Sequence, residues 1–416
     1  MKILVLGIGQ SNFLNQLYGS IKEMKSEYDF YLDKFNDISN GKSKQDSQVF
    51  NGKLELDLIK ISKTNGMFFL FNFLFSRLFY QIVFFELSQK SSFKKIKKQV
   101  FKYLRAKYLV KKYLLPLNFD IYHFHYCTPE NLIYTYFLPN NCKIILSFWG
   151  SDLMRETGVS NVFYMQKALK KASVITMQSS EMKLIFQSKY GSQFKDKVKN
   201  IRFTIDTKIF EAINKYSNDA VGLIHFKKRY FKDENKTIIA IGHNAFRENN
   251  HKLIINQLNN ISSSLKEKIT FLLHLSYGGK EYYIEELKAI IGKYQNLDCV
   301  IIEDYFGQED IAKLRLITNI IIQMPETDAL SGAMTEVLYA GNSAITASWL
   351  PYGILRRNGI NFNEIEDFIN LNFTIERILD NPEEQLKNNK YNKEKIESFL
   401  FPNTTTKDWI DLIESI

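Results

Sequence analysis

The stretch that decides the fold is Pro325-Glu326-Thr327-Asp328-Ala329-Leu330-Ser331-Gly332-Ala333-Met334-Thr335-Glu336-Val337-Leu338-Tyr339-Ala340-Gly341. An apolar run from Ile320 to Met324 stops at Pro325, a loop of small residues follows, and a short helical pattern ends at Gly341. This order predicts a strand, a turn and a helix N-terminus. Backbone N–H groups and the positive helix end would converge at Ser331, Gly332 and Ala333, which suits a phosphate or diphosphate.

An acid stands on each side of this expected anion site. Asp328 precedes it in the loop, and Glu336 follows on the first turns of the helix. Because carboxylates repel phosphate, we expect them to bind hydroxyl groups, such as those of sugars. A diphosphate flanked by two acids that bind polyols describes a nucleotide sugar. The alternative is a plain strand, loop and helix, which many α/β proteins have without this function.

Length and cysteine usage predict a two-domain protein of a reducing compartment. The 416 residues, 45% of them hydrophobic, exceed what one compact core holds. The three cysteines have neither metal-site spacing nor a disulfide framework, which favours the cytoplasm. The start of the chain, Met1 to Gly7, indicates a core strand rather than a signal peptide. Since no Asp-x-Asp cluster precedes a phosphate loop, we expect no metal ion and no cofactor.

The net charge of +10 is concentrated in one segment. Residues 90–112 hold ten basic residues, Lys94, Lys97 and Lys98 among them, and no acid. Apolar residues recur there at helical spacing, which predicts a basic amphipathic helix. No nucleic-acid-binding module is recognisable in it, so we do not expect a nucleic-acid partner.

An aromatic segment, Met67 to Leu87, precedes the basic helix and includes Phe71 and Phe75. Arg77 near its middle argues against a helix that spans a membrane. We expect a helix that lies on the membrane, with the neighbouring lysines holding anionic head groups. The alternative is a buried core helix beside a solvated lysine run.

The rest of the chain alternates apolar runs with helical patterns, as βαβ units do. The predicted strands are Lys2–Leu6, Asp120–His125, Lys143–Phe148, Ser173–Met177, Asn200–Phe203, Lys236–Ile241, Ile269–Leu275, Cys299–Ile302, Ile320–Met324 and Ala344–Ala347.

Polar loops follow these strands at their carboxyl ends, where open parallel sheets bind ligands, so they can share one cleft. We predict an α/β fold of two Rossmann-like domains that face each other across that cleft. The boundaries are an N-terminal domain (1–213), a connection (214–235), a C-terminal domain (236–395) and a terminal helix (396–416) that crosses back.

The chain resembles glycosyltransferases of the GT-B fold, broadly those of glycosyltransferase family 4. Asp328 and Glu336 match that family's pair of acids, with Asp in place of the usual first Glu. The segments 123–125, 149–152, 172–176 and Asp206 to Phe210 follow in the family's order. The second half is also similar to N-acetylfucosaminyl (Fuc4NAc) transferases, through Gly242-His243-Asn244, Asn250-His251 and Ser276-Tyr277-Gly278-Gly279.

The resemblance implies a nucleoside diphosphate sugar bound mainly by the C-terminal domain. Glu336 would bind the ribose, Asp328 the donor sugar, and residues 331–333 the diphosphate. The other residues implied at the donor site are His243, Asn244, Arg247, Tyr277, Gly278, Tyr305 and Phe306. The acceptor would lie against the N-terminal domain, on the side of Gly9, Gln10 and Trp149. In related enzymes it is a polyprenyl-diphosphate-linked sugar, which agrees with a protein peripheral to the inner face of the cell membrane.

Two departures from the family pattern concern charge and catalysis. His243 stands where the family usually has Arg or Lys, and Trp149 stands where it often has His. For the catalytic base we expect Asp152 first and His125 second, with Asp328 as the third catalytic residue. The alternatives are that Asp152 caps a helix, that His123 and His125 are core histidines, and that His243 and His251 cap loops. The Fuc4NAc likeness implies inversion of the anomeric carbon, and the two-acid motif implies retention.

We therefore expect a membrane-associated glycosyltransferase of bacterial polysaccharide biosynthesis, transferring a hexosyl or N-acetyl-deoxyhexosaminyl group. The alternative from another class is a non-catalytic GT-B-like accessory subunit. It is motivated by the altered Arg/Lys position and by Asp328.

Overall fold

The protein forms two parallel sheets, each covered by helices. The computed structural model describes residues 1–9, 11–34, 49–61, 63–203, 205, 207–279, 281–294 and 296–416, with the side chains of all of these except 34, 63–68 and 402–404. The expected residues Gln10 and Asp206 lie outside this described part. The strands are β1 (Lys2–Gly9), β2 (Asp29–Lys34), β3 (Gly52–Lys53), β4 (Ile121–His125), β5 (Lys143–Ser147), β6 (Val174–Met177), β7 (Val198–Asn200), β8 (Thr237–Ile241), β9 (Ile269–His274), β10 (Cys299–Ile302), β11 (Ile320–Gln323), β12 (Ser343–Ala347) and β13 (Asn363–Ile365).

The helices connect the strands as right-handed βαβ crossovers require. They are α1 (Asn12–Met24), α2 (Lys63–Leu74), α3 (Arg77–Ser88), α4 (Phe93–Leu109), α5 (Ser151–Met154), α6 (Val159–Lys171), α7 (Ser180–Tyr190), α8 (Thr207–Tyr216), α9 (Ala220–Tyr230), α10 (His251–Leu258), α11 (Ser263–Lys266), α12 (Glu281–Gly292), α13 (Gln308–Ile317), α14 (Gly332–Tyr339), α15 (Gly353–Arg357), α16 (Leu371–Asp380), α17 (Pro382–Asn389), α18 (Asn392–Leu400) and α19 (Pro402–Ser415).

Both sheets have the strand order of a Rossmann fold. The first runs β3-β2-β1-β4-β5-β6-β7 and the second β10-β9-β8-β11-β12-β13, with parallel pairing throughout. The order reverses between β1 and β4 in the first sheet and between β8 and β11 in the second. Ligands of such sheets bind outside the carboxyl ends of the strands at this reversal.

The strands form where the sequence has continuous apolar runs, because both faces of a parallel sheet are buried. Strand β1 places Leu4 and Leu6 in one core of the first domain and Ile3 and Val5 in another. One strand differs from expectation: Asn200–Phe203 was predicted, but β7 spans Val198–Asn200.

Two elements connect the halves. Helices α8 and α9 cover the end of the expected N-terminal domain and most of the expected connection, and their apolar residues pack into the core of the second sheet beside α13. Helix α19 returns to the first sheet, where the fully buried Trp409 joins the core of Ile3 and Val5.

Candidate active site

The carboxyl ends of the two sheets meet at one cleft. Gly150, which follows β5, lies so close to Ala329 that a Cβ there would stand 2.9 Å from the Ala329 Cβ. Arg155 donates from Nε to the Thr327 hydroxyl at 2.6 Å and forms an ion pair with Glu248 at 3.2 Å. The loop that decides the fold therefore faces the first domain directly.

Helix α14 begins at the expected anion site. The Ser331 hydroxyl caps the helix by accepting from the Met334 N–H at 3.2 Å. The Gly332 and Ala333 N–H groups have no hydrogen-bond partner in the part of the chain that the structure describes, and Gly332 is exposed. Two of the three expected N–H groups are thus unpaired at the helix end, that of the exposed Gly332 and that of the buried Ala333, while Ser331 contributes by holding the helix start.

Asp328 is held in place by its own loop and by a tyrosine. Its Oδ2 accepts from the Tyr352 hydroxyl at 2.6 Å, and its Oδ1 accepts from the Ala329 N–H at 2.8 Å. Burial and the nearby Asp328 raise the pKa of Tyr352 well above its usual range, so Tyr352 remains a neutral donor. The half-buried carboxylate is oriented before any ligand arrives.

Glu336 lies on α14 beside a residue that the sequence did not indicate. Its Oε2 accepts from Arg315 Nε at 2.7 Å, and the Arg315 side chain is only 9% exposed. Arg315 lies near the C-terminus of α13, the helix before β11. A lone arginine late in a helix carries no sequence signal, because the pairing depends on how α13 packs against α14.

His243 follows β8 and faces β11. Its Nδ1 lies 3.2 Å from Gln323 Oε1, and since an amide oxygen only accepts, Nδ1 carries the proton and Nε2 is an acceptor. Burial lowers the pKa of His243, and Arg315 adds to this lowering, while Asp328 opposes it. At neutral pH the ring is therefore uncharged.

Three other residues expected at the donor site shape the loops that follow β8 and β9. They are Asn244, Tyr277 and Gly278. The Asn244 side chain is buried, and its Oδ1 accepts from the Phe246 N–H at 2.9 Å. The Tyr277 hydroxyl lies 3.4 Å from Asn244 Nδ2. Gly278 has φ +85°, and a Cβ there would come within 2.7 Å of the Phe246 ring, so only glycine fits.

Exposure separates the remaining donor-site residues. Arg247 is exposed, and Tyr305 is 67% exposed, so both are accessible to a ligand. Phe306 is a correction: it is 6% exposed and packs against Phe226 and the His274 ring. Phe306 belongs to the core, because of the two neighbouring residues the apolar Phe306 points inward and Tyr305 points outward.

Asp152 is also a correction. The side chain is fully buried, and its Oδ1 accepts from the N–H groups of Trp149, Gly150 and Leu153 at 2.9–3.0 Å. Its Oδ2 accepts from the Cys127 N–H at 2.6 Å. Burial raises the pKa of Asp152 to about 6, against the lowering by these four N–H groups. A carboxylate so enclosed holds the turn after β5 and cannot reach an acceptor hydroxyl.

His125 is closed to substrate in the same way. Its Nε2 lies 2.7 Å from the Tyr18 hydroxyl, and its Nδ1 accepts from the Trp149 indole N–H at 3.2 Å. His123 contacts the Tyr18 hydroxyl and the Ser147 hydroxyl, each at 2.7 Å. Burial lowers the pKa of His123 to about 3 and that of His125 well below its usual range. Both are satisfied core histidines, and the assignment of His125 as a base is wrong for this conformation.

The first-sheet residues nearest the cleft are Gly9 and Trp149. Gly9 is the buried last residue of β1. Trp149 is half-buried between Phe13, at a centroid distance of 5.7 Å, and Phe203, at 4.9 Å. Of the residues expected on the acceptor side of the cleft, these two are described.

The aromatic and basic segments form helices α2, α3 and α4, which pack on one another in the first domain. Ser76 breaks the expected single helix into α2 and α3, because its hydroxyl caps α3 at the Phe79 N–H. Phe69, Phe73 and Ile82 pack inward. We call the outward side the aromatic–basic surface; it consists of Phe71, Phe75, Tyr80, Phe84, Leu87, Phe93, Lys94, Lys97 and Lys98, all exposed.

The only acid among residues 67–112 is turned away from this surface. Glu86 is fully buried and accepts from the Tyr164 hydroxyl at 2.6 Å and the Ser91 hydroxyl at 2.5 Å. The residues that define the aromatic–basic surface therefore include no acid, and two acids from other elements, Glu130 and Asp57, pair with Lys102 and Arg105 of α4. Among the described helices, none is long and apolar enough to cross a bilayer. The described residues also include no group of three or more His, Cys, Asp or Glu placed to hold a metal ion.

Comparison with solved structures identifies the architecture. A glycosyltransferase from Rickettsia africae superposes with a TM-score of 0.67 at 15% identity, over 100% of this chain and 97% of the other. Anabaena HepE, solved with UDP and glucose, gives 0.65 at 12% identity, over 100% and 99%. Sucrose-phosphate synthase from Thermosynechococcus elongatus gives 0.65 at 11% identity, over 100% and 98%.

Sequence comparison covers a smaller part of the chain. Residues 79–179 match the model of the Glycosyl transferase 4-like family. A search of curated proteins finds no match. The chain therefore has the GT-B fold of two Rossmann-like domains, and a quarter of it, within the first domain, is similar to the glycosyl transferase 4-like family.

Proposed function

We propose that this protein is a glycosyltransferase that takes its sugar from a nucleoside diphosphate donor. One observation carries the proposal: two unpaired N–H groups at the start of α14 lie, along the chain, between Asp328 and Glu336, at the strand-order reversal of the second sheet. Support comes from the glycosyl transferase 4-like match and from a structural neighbour, Anabaena HepE, solved with UDP and glucose and with UDP-glucose.

Each side chain of this site has a role that its contacts allow. The Gly332 and Ala333 N–H groups would bind the diphosphate. Arg315 holds one oxygen of Glu336, which leaves Oε1 for the ribose hydroxyls. Tyr305, exposed at the cleft, would contact the base.

The reaction breaks the bond between the anomeric carbon and the diphosphate and forms a bond from that carbon to an acceptor oxygen. The departing diphosphate gains negative charge, which the α14 N-terminus stabilises because its dipoles already point at that position. The acceptor hydroxyl must lose a proton. With Asp152 and His125 enclosed, Asp328 is the carboxylate at the cleft that can orient or accept it.

Nucleotide binding tests the site. UDP should bind the wild-type protein in isothermal titration calorimetry, and Glu336→Ala should abolish that binding, because the ribose loses its acceptor. Glu366→Ala, which removes an exposed acid elsewhere, is the control and should bind UDP as the wild type does. Equal UDP affinity in Glu336→Ala would refute the site.

We also propose that the aromatic–basic surface docks on an anionic membrane, which brings the first domain to a lipid-linked acceptor. The exposed Phe71 and Phe75 rings lie 5.0 Å apart, and Lys94, Lys97 and Lys98 are exposed on the adjoining α4. Apolar side chains beside uncompensated lysines fit the boundary between acyl chains and anionic head groups. A polyprenyl-diphosphate-linked acceptor, the inner face of the cell membrane, polysaccharide biosynthesis and Fuc4NAc transfer remain parts of this proposal.

Vesicle sedimentation measures this docking. Replacing Lys94, Lys97 and Lys98 by Gln should weaken binding to phosphatidylglycerol vesicles about 100-fold, at about 1 kcal/mol per lysine. The control replaces Lys199, Lys293 and Lys387, which are exposed elsewhere, and changes the net charge equally. If both triple variants bind alike, only net charge matters and the surface is not a docking site.

A second candidate is a non-catalytic accessory subunit of a glycosyltransferase complex. The observation that favours it is the enclosure of Asp152 and His125, which leaves the first domain without an open acid or base at these positions. It predicts no sugar transfer by the isolated protein with any donor. Turnover by the isolated chain excludes it.

A further inference from the structure

A buried hydrogen-bond chain runs under the first half of the cleft and ends at Trp149. Beyond the contacts of His125, Tyr18 and His123 described above, the Ser147 hydroxyl lies 2.7 Å from the Thr176 hydroxyl. Tyr18, both histidines and Ser147 are fully buried, and Thr176 is 2% exposed. The chain therefore links the surface indole to the middle of the sheet.

The chemistry of the indole fixes the direction of this chain. An indole N–H only donates, so His125 Nδ1 must accept and His125 Nε2 must carry the ring proton. That N–H donates to the Tyr18 oxygen, which leaves the Tyr18 O–H to donate to His123 Nδ1. His123 then donates from Nε2 to Ser147, and Ser147 donates to Thr176. Both imidazoles are consequently the Nε2–H tautomer and neutral.

Because all hydrogen bonds of this buried series can be made in one donor-to-acceptor direction, they hold the Trp149 indole in one orientation. Rotating the indole would strand its N–H and leave His125 Nδ1 buried without a donor, which is costly. Phe203 supports the ring from one side at a centroid distance of 4.9 Å. The indole is rigid before any ligand arrives, so binding against it costs little conformational entropy.

The Trp149 ring lies next to the contact between the two domains. The next residue, Gly150, touches Ala329 in the loop that holds Asp328. Phe13, 54% exposed, meets Trp149 edge-on at an interplanar angle of 83°. Together the two rings form an aromatic corner of the cleft, and the neutral histidines behind it provide no charge.

We propose that Trp149, with Phe13 beside it, is the platform on which the reacting pyranose of an acceptor packs, positioned by His125 and Tyr18. This inference rests on the proposed transferase function. A pyranose has one face of axial C–H groups, and an uncharged aromatic surface suits that face, while its hydroxyls remain free for the second domain. The acceptor class is therefore a neutral hexopyranoside at the reacting end.

Saturation-transfer NMR with methyl β-D-glucopyranoside, in the presence of UDP, tests the platform. In this sugar H1, H3 and H5 share one axial face, so these protons should receive more saturation than H2 and H4. Trp149→Ala should lower glycoside affinity about tenfold, and Trp149→Phe, which keeps a ring, about threefold. Trp349→Ala, which removes another indole hydrogen-bonded at its N–H, is the matched control and should leave the pattern unchanged.

The outcomes separate the two proposals. Failure of the wild type to bind UDP defeats the proposed function. If UDP binds but the glycoside shows no face preference, or shows it equally in Trp149→Ala, the platform is refuted. UDP binding by each variant also confirms that it is folded.

The positioning role has its own readout. In ¹⁵N spectra of the wild type, His123 and His125 should both be Nε2–H tautomers, and an Nδ1–H form of His125 would overturn the chain. Tyr18→Phe breaks the chain and should raise the acceptor dissociation constant about threefold while UDP affinity stays the same. The control Tyr28→Phe removes a hydroxyl bonded to Glu414 and should change neither. Unchanged glycoside affinity in a folded Tyr18→Phe contradicts positioning by Tyr18.

Discussion

The two sheets share one strand order, yet the polar groups at their carboxyl edges are used differently. At the first edge both nitrogens of His123 and of His125 have partners, and both oxygens of Asp152 are occupied. At the second edge, within the described residues, three buried atoms have none: His251 Nε2, His274 Nδ1 and Gln323 Nε2. We call the part of the first edge around His123, His125 and Asp152 the sealed edge, and the part of the second edge around the three unpartnered atoms the open edge.

This difference between the two sheet edges indicates which domain binds the polar ligand. Buried polar atoms without partners are costly and rare, so several at one place point to a ligand or water that completes them. The sealed edge has no hydrogen bonds left to give and serves as a rigid wall. This division fits a polar nucleotide at the second domain and an apolar sugar face at the first.

The largest effect is expected at the sealed edge. Asp152→Ala removes the acceptor of four backbone N–H groups, of which the Leu153 N–H keeps the Gly150 carbonyl. It should lower the free energy of unfolding by at least about 3 kcal/mol, at about 1 kcal/mol or more for each of the three stranded donors. Urea denaturation measures this. Asp196→Ala, at an exposed position, is the control and should cost little. A loss below about 1 kcal/mol would mean that the edge is not sealed by Asp152.

Acid should weaken the sealed edge through its neutral histidines. The pKa of His123 is about 3 in the folded protein and about 6.5 when unfolded, so the unfolded chain alone binds the proton between these values. Its stabilising contribution is present at neutral pH and is lost as pH falls from about 6.5 toward 3.

Denaturation at pH 7 and pH 5 measures this loss. The wild type should lose about 2 kcal/mol more between these pH values than His123→Gln does. His225→Gln, at an exposed histidine, should retain the pH dependence of the wild type. Identical pH profiles for wild type and His123→Gln would contradict the buried neutral ring.

The smallest effect on folding, and a clear one on binding, is expected at the open edge. Gln323→Leu should lower the unfolding free energy by about 1 kcal/mol, because only the Oε1 that accepts from His243 Nδ1 is lost, while the amide N–H₂ bonds nothing in the described structure. UDP affinity should fall about tenfold, because His243 at the donor site loses the oxygen that fixes its ring. Ser147→Ala at the sealed edge is the converse control, losing stability and not UDP affinity. Equal UDP binding by Gln323→Leu would place the ligand elsewhere.

The fold was largely predictable because the buried strands of a parallel sheet are recognisable in the sequence as continuous apolar runs. The pattern Ile320 to Met324 became β11, and nine of the ten predicted strands lie where expected. The strands β2, β3 and β13 were missed. β3 and β13 are short and polar and sit at sheet edges, where one-sided pairing needs no long apolar run.

The aromatic segment shows where periodicity was insufficient. Met67 to Leu87 was expected as one helix, but Ser76 starts a new one, and that hydroxyl cap could have been recognised from the sequence. The segment has a buried side and an exposed side, since Phe73 is core and Phe71 is exposed. Its contact with lipid stays a prediction.

By itself the sequence determined the alternation of strands and helices, the order acid, anion site, acid around Gly332, and the basic segment before residue 112. These features are local, and their physics acts within a few turns of chain. Only the tertiary structure decided which polar groups are free. The Tyr18 hydroxyl meets a histidine 105 residues away, and Arg315 meets Glu336 across two helices. A side chain is open to a ligand only when distant partners leave some of its donor hydrogens or acceptor lone pairs unused, because the number of each is limited.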